Sequence, residues 1–158
     1  MPYTMKTEGI EEISKMLSRL ESQAQPAASK ALYTGAGIMA DEVDRQAESI
    51  TTEPFHYAVF VQRSVSPEEK AVVQNGVGIA KFQKNGSDVQ TSVGYGNAGY
   101  AMVAGKRKPI PKIANAINSG TSFLKKQPFF RKAVNSGTTK ASEAIKSSIE
   151  KDFDAITT

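Results

Sequence analysis

The chain has 158 residues, 39% hydrophobic and 23% charged, a composition that fits one globular domain (1–158) and excludes wholesale disorder or a fibrous repeat. It has no cysteine and one histidine, His56, which excludes disulfides, thiol catalysis, thiolate metal sites and paired-imidazole metal sites. Its 20 basic and 16 acidic residues leave a net charge of +4, and no apolar run approaches the roughly 20 residues a bilayer span needs.

In chain order, Tyr3, Met5 and Thr7 alternate with polar neighbours and predict a short first strand. The same segment lacks the apolar core of a signal peptide, so export is not expected. From Gly9 the period becomes helical: Ile10, Ile13, Leu17 and Leu20 share a face, with Met16 beside them and Glu11, Glu12, Lys15 and Arg19 outside. Pro26 suits the first turn of a second helix, predicted to run to about Ser49. Leu32, Ala36, Met39, Val43, Ala47 and Ile50 form its apolar stripe, and Asp41, Glu42, Asp44 and Glu48 make its remaining surface acidic.

Phe55, Tyr57, Val59 and Val61 alternate like a strand. Ser66-Pro67-Glu68-Glu69 reads as an N-cap, a first-turn proline and acids at the positive helix end, and Asn75-Gly76 stops that helix early. Val77 to Gln83 and Val89 to Val93 flank Lys84-Asn85-Gly86-Ser87-Asp88, which predicts a hairpin. Residues 94–110 are expected to be a long glycine-containing loop ending in a basic cluster. Pro111 to about Asn118 reads as a short helix closed at Ser119-Gly120. A last helix begins near Pro128, with Phe130, Val134, Ala141, Ile145, Ile149 and Phe153 as its apolar side and Ser136-Gly137 weakening its middle.

The charge is unevenly placed. Residues 1–79 hold 7 basic and 11 acidic residues, whereas residues 80–158 hold 13 and 5. From Val89 to Ser142 there is no carboxylate, but there are nine basic residues, among them Lys106, Arg107, Lys108, Lys125, Lys126 and Arg131. Three readings stay open for that stretch: a solvated basic face, a nucleic-acid contact, or a contact with the acidic face of a neighbouring subunit. Any contact with DNA would be to its backbone and indifferent to sequence, since no helix-turn-helix or zinc-finger pattern is present.

Motifs for chemistry fail their context tests. Gly94, Gly96 and Gly99 form a G-x-G-x-x-G after a strand, but Gly105 and Pro109 break any following helix and no acid appears until Glu143. Gly105-Lys106 lacks both the hydroxyl and the spacing of a phosphate loop. Ser122 and Lys125 match S-x-x-K without its partner motifs. His56 has only Glu53 as a near carboxylate. Asp41, Glu42, Asp44 and Glu48 read better as a solvated helix face, or as the acidic half of a subunit contact, than as a cation site. No catalytic residue, metal or cofactor is predicted.

Two runs carry a resemblance: Pro111 to Ser122, containing Ser119-Gly120-Thr121, and Lys126 to Ala133, containing Pro128-Phe129 and Arg131. Together with the helix opening at Gly9-Ile10, the alanine-rich helix after it and the hairpin ending Val93-Gly94-Tyr95, they resemble the tail-completion family of long-tailed bacteriophages. These are also called head–tail joining or minor tail proteins. The resemblance spans most of the chain in the family's order and leaves out residues 55–74. It implies a non-enzymatic structural protein of the virion neck or tail, made in the host cytoplasm by a phage or prophage. It further implies a hexameric ring in the particle, monomeric before assembly, with tail terminator, tail tube and head connector proteins as partners. It supplies no active site. A sequence-independent nucleic-acid-binding protein is the alternative. The expected fold is α+β: a small, mostly antiparallel sheet packed against two N-terminal helices and a long C-terminal helix.

Overall fold

The structure, a computed structural model, describes residues 8–53, 62–86 and 88–158, with side chains from Ser14 onward apart from Asp88. The strands expected at residues 3–7 and 55–61, and His56, lie outside the described residues. In chain order the elements are α1 (Glu8–Glu48), α2 (Pro67–Gln74), β1 (Gly78–Ile79), β2 (Gln83–Asn85), β3 (Asp88–Gln90), β4 (Val93–Gly94), β5 (Tyr100–Val103), β6 (Lys106–Pro109), α3 (Ile110–Ser119) and α4 (Phe129–Thr157). The fold is α+β.

The two helices expected on either side of Pro26 are one. Helix α1 runs unbroken for 41 residues, about 60 Å, with Pro26 inside it. Pro26 cannot donate to the Ser22 carbonyl, which costs about 3 kcal/mol in a helix interior. Packing just beyond it offsets that cost. Ala27 and Ala31 are buried, and Asp152, Ala155 and Ile156 near the end of α4 lie beside Pro26.

Helix α4 runs antiparallel along α1. Gly137 lies against Met39 and Glu42, Gly35 against Ala141 and Ile145, and Lys30 Nζ stands 2.9 Å from Asp152 Oδ1. Small residues let the two helices approach, so Gly137 is a packing position rather than a weak point in α4. Beyond residue 22 toward its N-terminus, α1 has no counterpart on α4. Leu17 there is 59% exposed and Met16 is exposed too, so at these two positions the apolar face read from the sequence has no cover among the described residues.

The sheet is three separate antiparallel ribbons, β1–β4, β2–β3 and β5–β6. The first two are halves of the expected hairpin, with Ile79 opposite Val93 and Gln83 opposite Gln90. Between them the Ala80 N–H donates to the Ser92 carbonyl at 2.8 Å and the Thr91 hydroxyl donates to the Ala80 carbonyl at 2.7 Å. The expected loop at 94–110 contains the third ribbon, which is a correction. Its turn residues Ala104 and Gly105 have φ of 50° and 73°, the signature of a two-residue hairpin turn of type I′. An alanine in the first turn position hid that signal, because a side chain there is disfavoured. The Ala104 N–H donates to Glu68 Oε2 at 3.0 Å and ties the turn to α2.

Helix α2 begins as expected, with a reciprocal cap between Ser66 and Glu69. Helix α3 ends at Gly120, whose φ is 75°. A Cβ there would also lie 2.9 Å from the Lys126 Cβ, so glycine is required on two counts. The Asn118 carboxamide accepts the Phe130 and Arg131 N–H groups, each at 3.2 Å, and satisfies the start of α4. Gln127 clasps Thr51, accepting its N–H at 3.0 Å and donating to its carbonyl at 2.9 Å.

The core sits where the C-terminal end of α1 meets α2, α3 and the start of α4. Val43, Ile50, Val65, Val73, Ile117 and Phe129 are buried there. The Tyr95 hydroxyl donates to the Val73 carbonyl at 2.8 Å. Burial, with the Asp44 charge adding to it, pushes its pKa up, so the phenol stays protonated and keeps that bond.

Candidate functional site

The basic residues of the β5–β6 ribbon do not share one face. On the β5–β6 ribbon Lys106 stands opposite Val103, Arg107 opposite Met102 and Lys108 opposite Ala101. Directly paired residues share a face, so Arg107 lies on the outer face with Tyr100 and Met102 while Lys106 and Lys108 lie on the other. The Arg107 guanidinium sits 4.4 Å from the Tyr100 ring centroid, a cation–π contact on an exposed surface. Tyr100 and Met102 are 60% and 65% exposed. A basic loop cluster becomes an aromatic–cationic face and a separate lysine pair.

Lys108 and Lys112 border a groove of about 290 Å³, floored by Ile113, Ala116 and Leu124 and edged by Phe123. Phe123 is 77% exposed, the highest value among the large hydrophobic residues whose side chains are described. The chain there is held by backbone bonds: the Arg63 N–H donates to the Phe123 carbonyl at 2.8 Å, and the Lys125 N–H to the Arg63 carbonyl at 2.9 Å. Glu69, buried at the groove wall, accepts from Arg63 Nη1 and Nη2 at 2.8 and 2.6 Å and from the Ser66 N–H at 3.0 Å. Burial pushes the Glu69 pKa up, but the Arg63 bonds and the Ser66 N–H outweigh it and the carboxylate stays ionised. The Arg63–Glu69 pair carries no spacing signal in the sequence, since a bend of the chain joins residues from a loop and a helix.

Lys125, Lys126 and Arg131 are exposed near the turn into α4. The family-motif residues make that turn. Gly120 caps α3 and Ser119 hydrogen-bonds Asn115 Oδ1 at 3.3 Å. The Thr121 hydroxyl accepts the Phe123 and Leu124 N–H groups at 3.2 and 3.0 Å. Pro128 precedes α4, and Phe129 is in the core. Their roles are architectural.

The four acids also divide. Asp41, Asp44 and Glu48 lie on one side of α1 by their three- and four-residue spacing, with Asp41 and Glu48 exposed. Glu42 is buried against α4, which removes it from the expected acidic interface. Its carboxylate accepts from Arg45, from Ser136 of α4 and from Gln46 Nε2 at 3.1 Å. The Arg45 bond foremost, then those of Ser136 and Gln46, hold the Glu42 pKa at about 2 against the effect of burial. Asp44 moves the other way: burial pushes its pKa up, helped by Asp41 and Glu48.

These shifts fix a sign. A depressed carboxylate pKa contributes stability that is present above the unfolded value and is lost as pH falls toward the folded one. For Glu42 that window is pH 4.5 down to about 2. Glu42→Gln is therefore expected to lower the urea midpoint at pH 7 and to flatten its fall across that window; Glu69 adds slope of the same sign and Asp44 of the opposite sign. An unchanged slope would show that the Glu42 charge is not used in the fold.

Gly96 and Gly99 of the glycine motif have open space around them, and β5 rather than a helix follows. No phosphate cradle forms. Among the described residues no group of three His, Asp or Glu side chains is placed to hold a metal ion, and no helix is long and apolar enough to cross a membrane. No family model, curated protein or solved structure matches the chain.

Proposed function

We propose that the chain is a non-enzymatic structural protein of a phage neck or tail, which completes the tail end and helps join tail to head by assembling into a ring. The motif order described above suggests the family, and six subunits follow from it. The observation that carries the assembly reading is an unpartnered surface at each end of the 41-residue α1. Exposed Leu17 and Met16 lie toward one end and exposed Phe123 beside a basic groove toward the other. A chain that works alone has no use for both, and exposed apolar groups rimmed by charge mark interaction sites. The exposed Asp41 and Glu48 offer a further contact for the basic second half of a neighbour.

The test is genetic. Disrupting the gene in the phage or prophage that encodes it is expected to leave filled heads and tails unjoined in electron micrographs, with joining restored by the wild-type gene. The variant Asp41→Lys/Glu48→Lys, which spares the buried Glu42, is expected to restore it less than one-tenth as well. Joined, infectious particles in the disrupted strain would overturn the proposal. Exposed Lys125, Lys126 and Arg131 favour a nucleic-acid-binding reading in second place. A steep fall of DNA affinity with salt for the isolated chain would put that reading first.

A further inference from the structure

We propose that the N-terminal overhang of α1 docks into the Lys108–Lys112 groove of a second copy of this chain. The inference rests on the assembly reading and names its contact. Three observations carry it.

First, the overhang is a helix surface without a partner. Helix α4 reaches α1 only as far as the neighbourhood of Gln23 and Pro26, where Asp152, Ala155 and Ile156 lie. The residues before that project by about 20 Å at 1.5 Å per residue, with Met16 and Leu17 exposed along the way. Isolated helices of this length are marginal in water, and their stability in proteins comes from packing an apolar face. At Met16 and Leu17 this overhang has such a face with nothing against it among the described residues.

Second, the groove is its chemical complement. Its floor is apolar, its edge is the exposed ring of Phe123, and its rim carries the half-buried Lys108, which also acts on Glu69, and the exposed Lys112; Arg63 is engaged with Glu69. Apart from Arg63 and Glu69, which pair with each other, its lining comes from the 54-residue stretch that has no carboxylate. The first turns of α1 carry Glu8, Glu11 and Glu12 in sequence, followed by Met16 and Leu17. Acid then apolar on the helix meets cation then apolar in the groove, the pattern of an amphipathic helix in a hydrophobic groove.

Third, the two surfaces lie toward opposite ends of the molecule. The groove is built on α2, α3 and the segment before α4, which pack around the C-terminal end of α1. From Leu17 to Ile50 is about 50 Å along the helix direction. A chain cannot fold its own overhang back across that distance, so an overhang seated in the groove comes from another copy. A contact between two different surfaces is heterologous: it repeats from copy to copy and closes into a ring where the rotation allows. Pairing of two overhangs would instead stop at a dimer.

The absence of cysteine from the chain makes the contact directly readable. Leu17→Cys and Phe123→Cys each change one exposed side chain, so both variants are expected to fold. Mixed in equal amounts and treated with a short bis-maleimide, they are expected to give a linked heterodimer. The double variant should give a ladder of dimers, trimers and larger species. Adding Lys112→Glu to the Phe123→Cys partner should cut the linked yield several-fold.

A linked dimer from Leu17→Cys alone, at the yield of the mixture, would overturn the proposal in favour of overhang pairing. So would the absence of a link both in concentrated protein and in assembled tails. Protection of Phe123→Cys by a short DNA duplex, with no link to Leu17→Cys, would overturn it in favour of nucleic acid. Links without incorporation into tails would leave the contact standing and remove the tail-completion reading. Incorporation without links would do the reverse.

Discussion

Replacing Phe129 by alanine is expected to cost about 3–5 kcal/mol and to lower the thermal midpoint by on the order of 10 °C. Phe129 is 2% exposed at the first residue of α4. Its ring meets Tyr95 edge-on with centroids 6.1 Å apart, and meets Phe130 at 6.4 Å and 89°. The substitution removes a whole ring from the point where α4 joins the core of α1, α2 and α3. The backbone on either side is pinned by the Gln127–Thr51 clasp and the Asn118 cap, so collapse into the cavity is limited and the cost falls at the upper end. Thermal unfolding followed by circular dichroism checks it. A loss below 1 kcal/mol would mean that the aromatic cluster is not the keystone of this corner.

Gly137→Leu is expected to cost about 3 kcal/mol through overpacking between α1 and α4. A Cβ at Gly137 would already stand 2.9 Å from Met39 Sδ and 3.2 Å from Glu42 Cγ. The Met39 thioether can swing aside. Glu42 cannot, because Arg45, Gln46 and Ser136 hold its carboxylate. Gly137→Ala separates the two contributions. It gains roughly 1 kcal/mol of helix propensity and meets only the single-atom crowding, so it should be close to neutral. Denaturant midpoints of the pair measure the difference. Equal stability of the leucine and alanine variants would show that the helices separate freely and that their close approach is not required.

Local signals predicted local structure. Ser66-Pro67-Glu68-Glu69 announced α2, and Gly120 announced the end of α3, because capping and left-handed backbone are decided by a few neighbouring residues. The hairpin around Gly86 was legible for the same reason. Pro26 misled, since a proline weighs heavily in a local reading and the packing that overrides it comes from residues more than 120 positions away. The β5–β6 ribbon stayed hidden because Ala104 occupies a turn position that ordinarily announces itself with asparagine or glycine.

The candidate site was legible as charge and illegible as geometry. The sequence set the number of cations, the 54-residue stretch without a carboxylate and the acidic run in α1. The β5–β6 pairing then put Arg107 on one face and Lys108 on the other, and helix packing turned Glu42 inward while leaving Asp41 and Glu48 outside.

By itself, then, the sequence determined the capped start of α2, the glycine end of α3 and the hairpin around Gly86, and the absence of thiol and paired-imidazole chemistry. Each of these depends on residue identity within a few positions. Only the tertiary structure decided that α1 is continuous, that Gly137 is a contact rather than a weakness, and that one stretch of apolar helix is left over at one end with an open groove toward the other. Those features depend on which distant side chains share a volume, and burial in a folded chain is settled by partners that sequence neighbours do not specify.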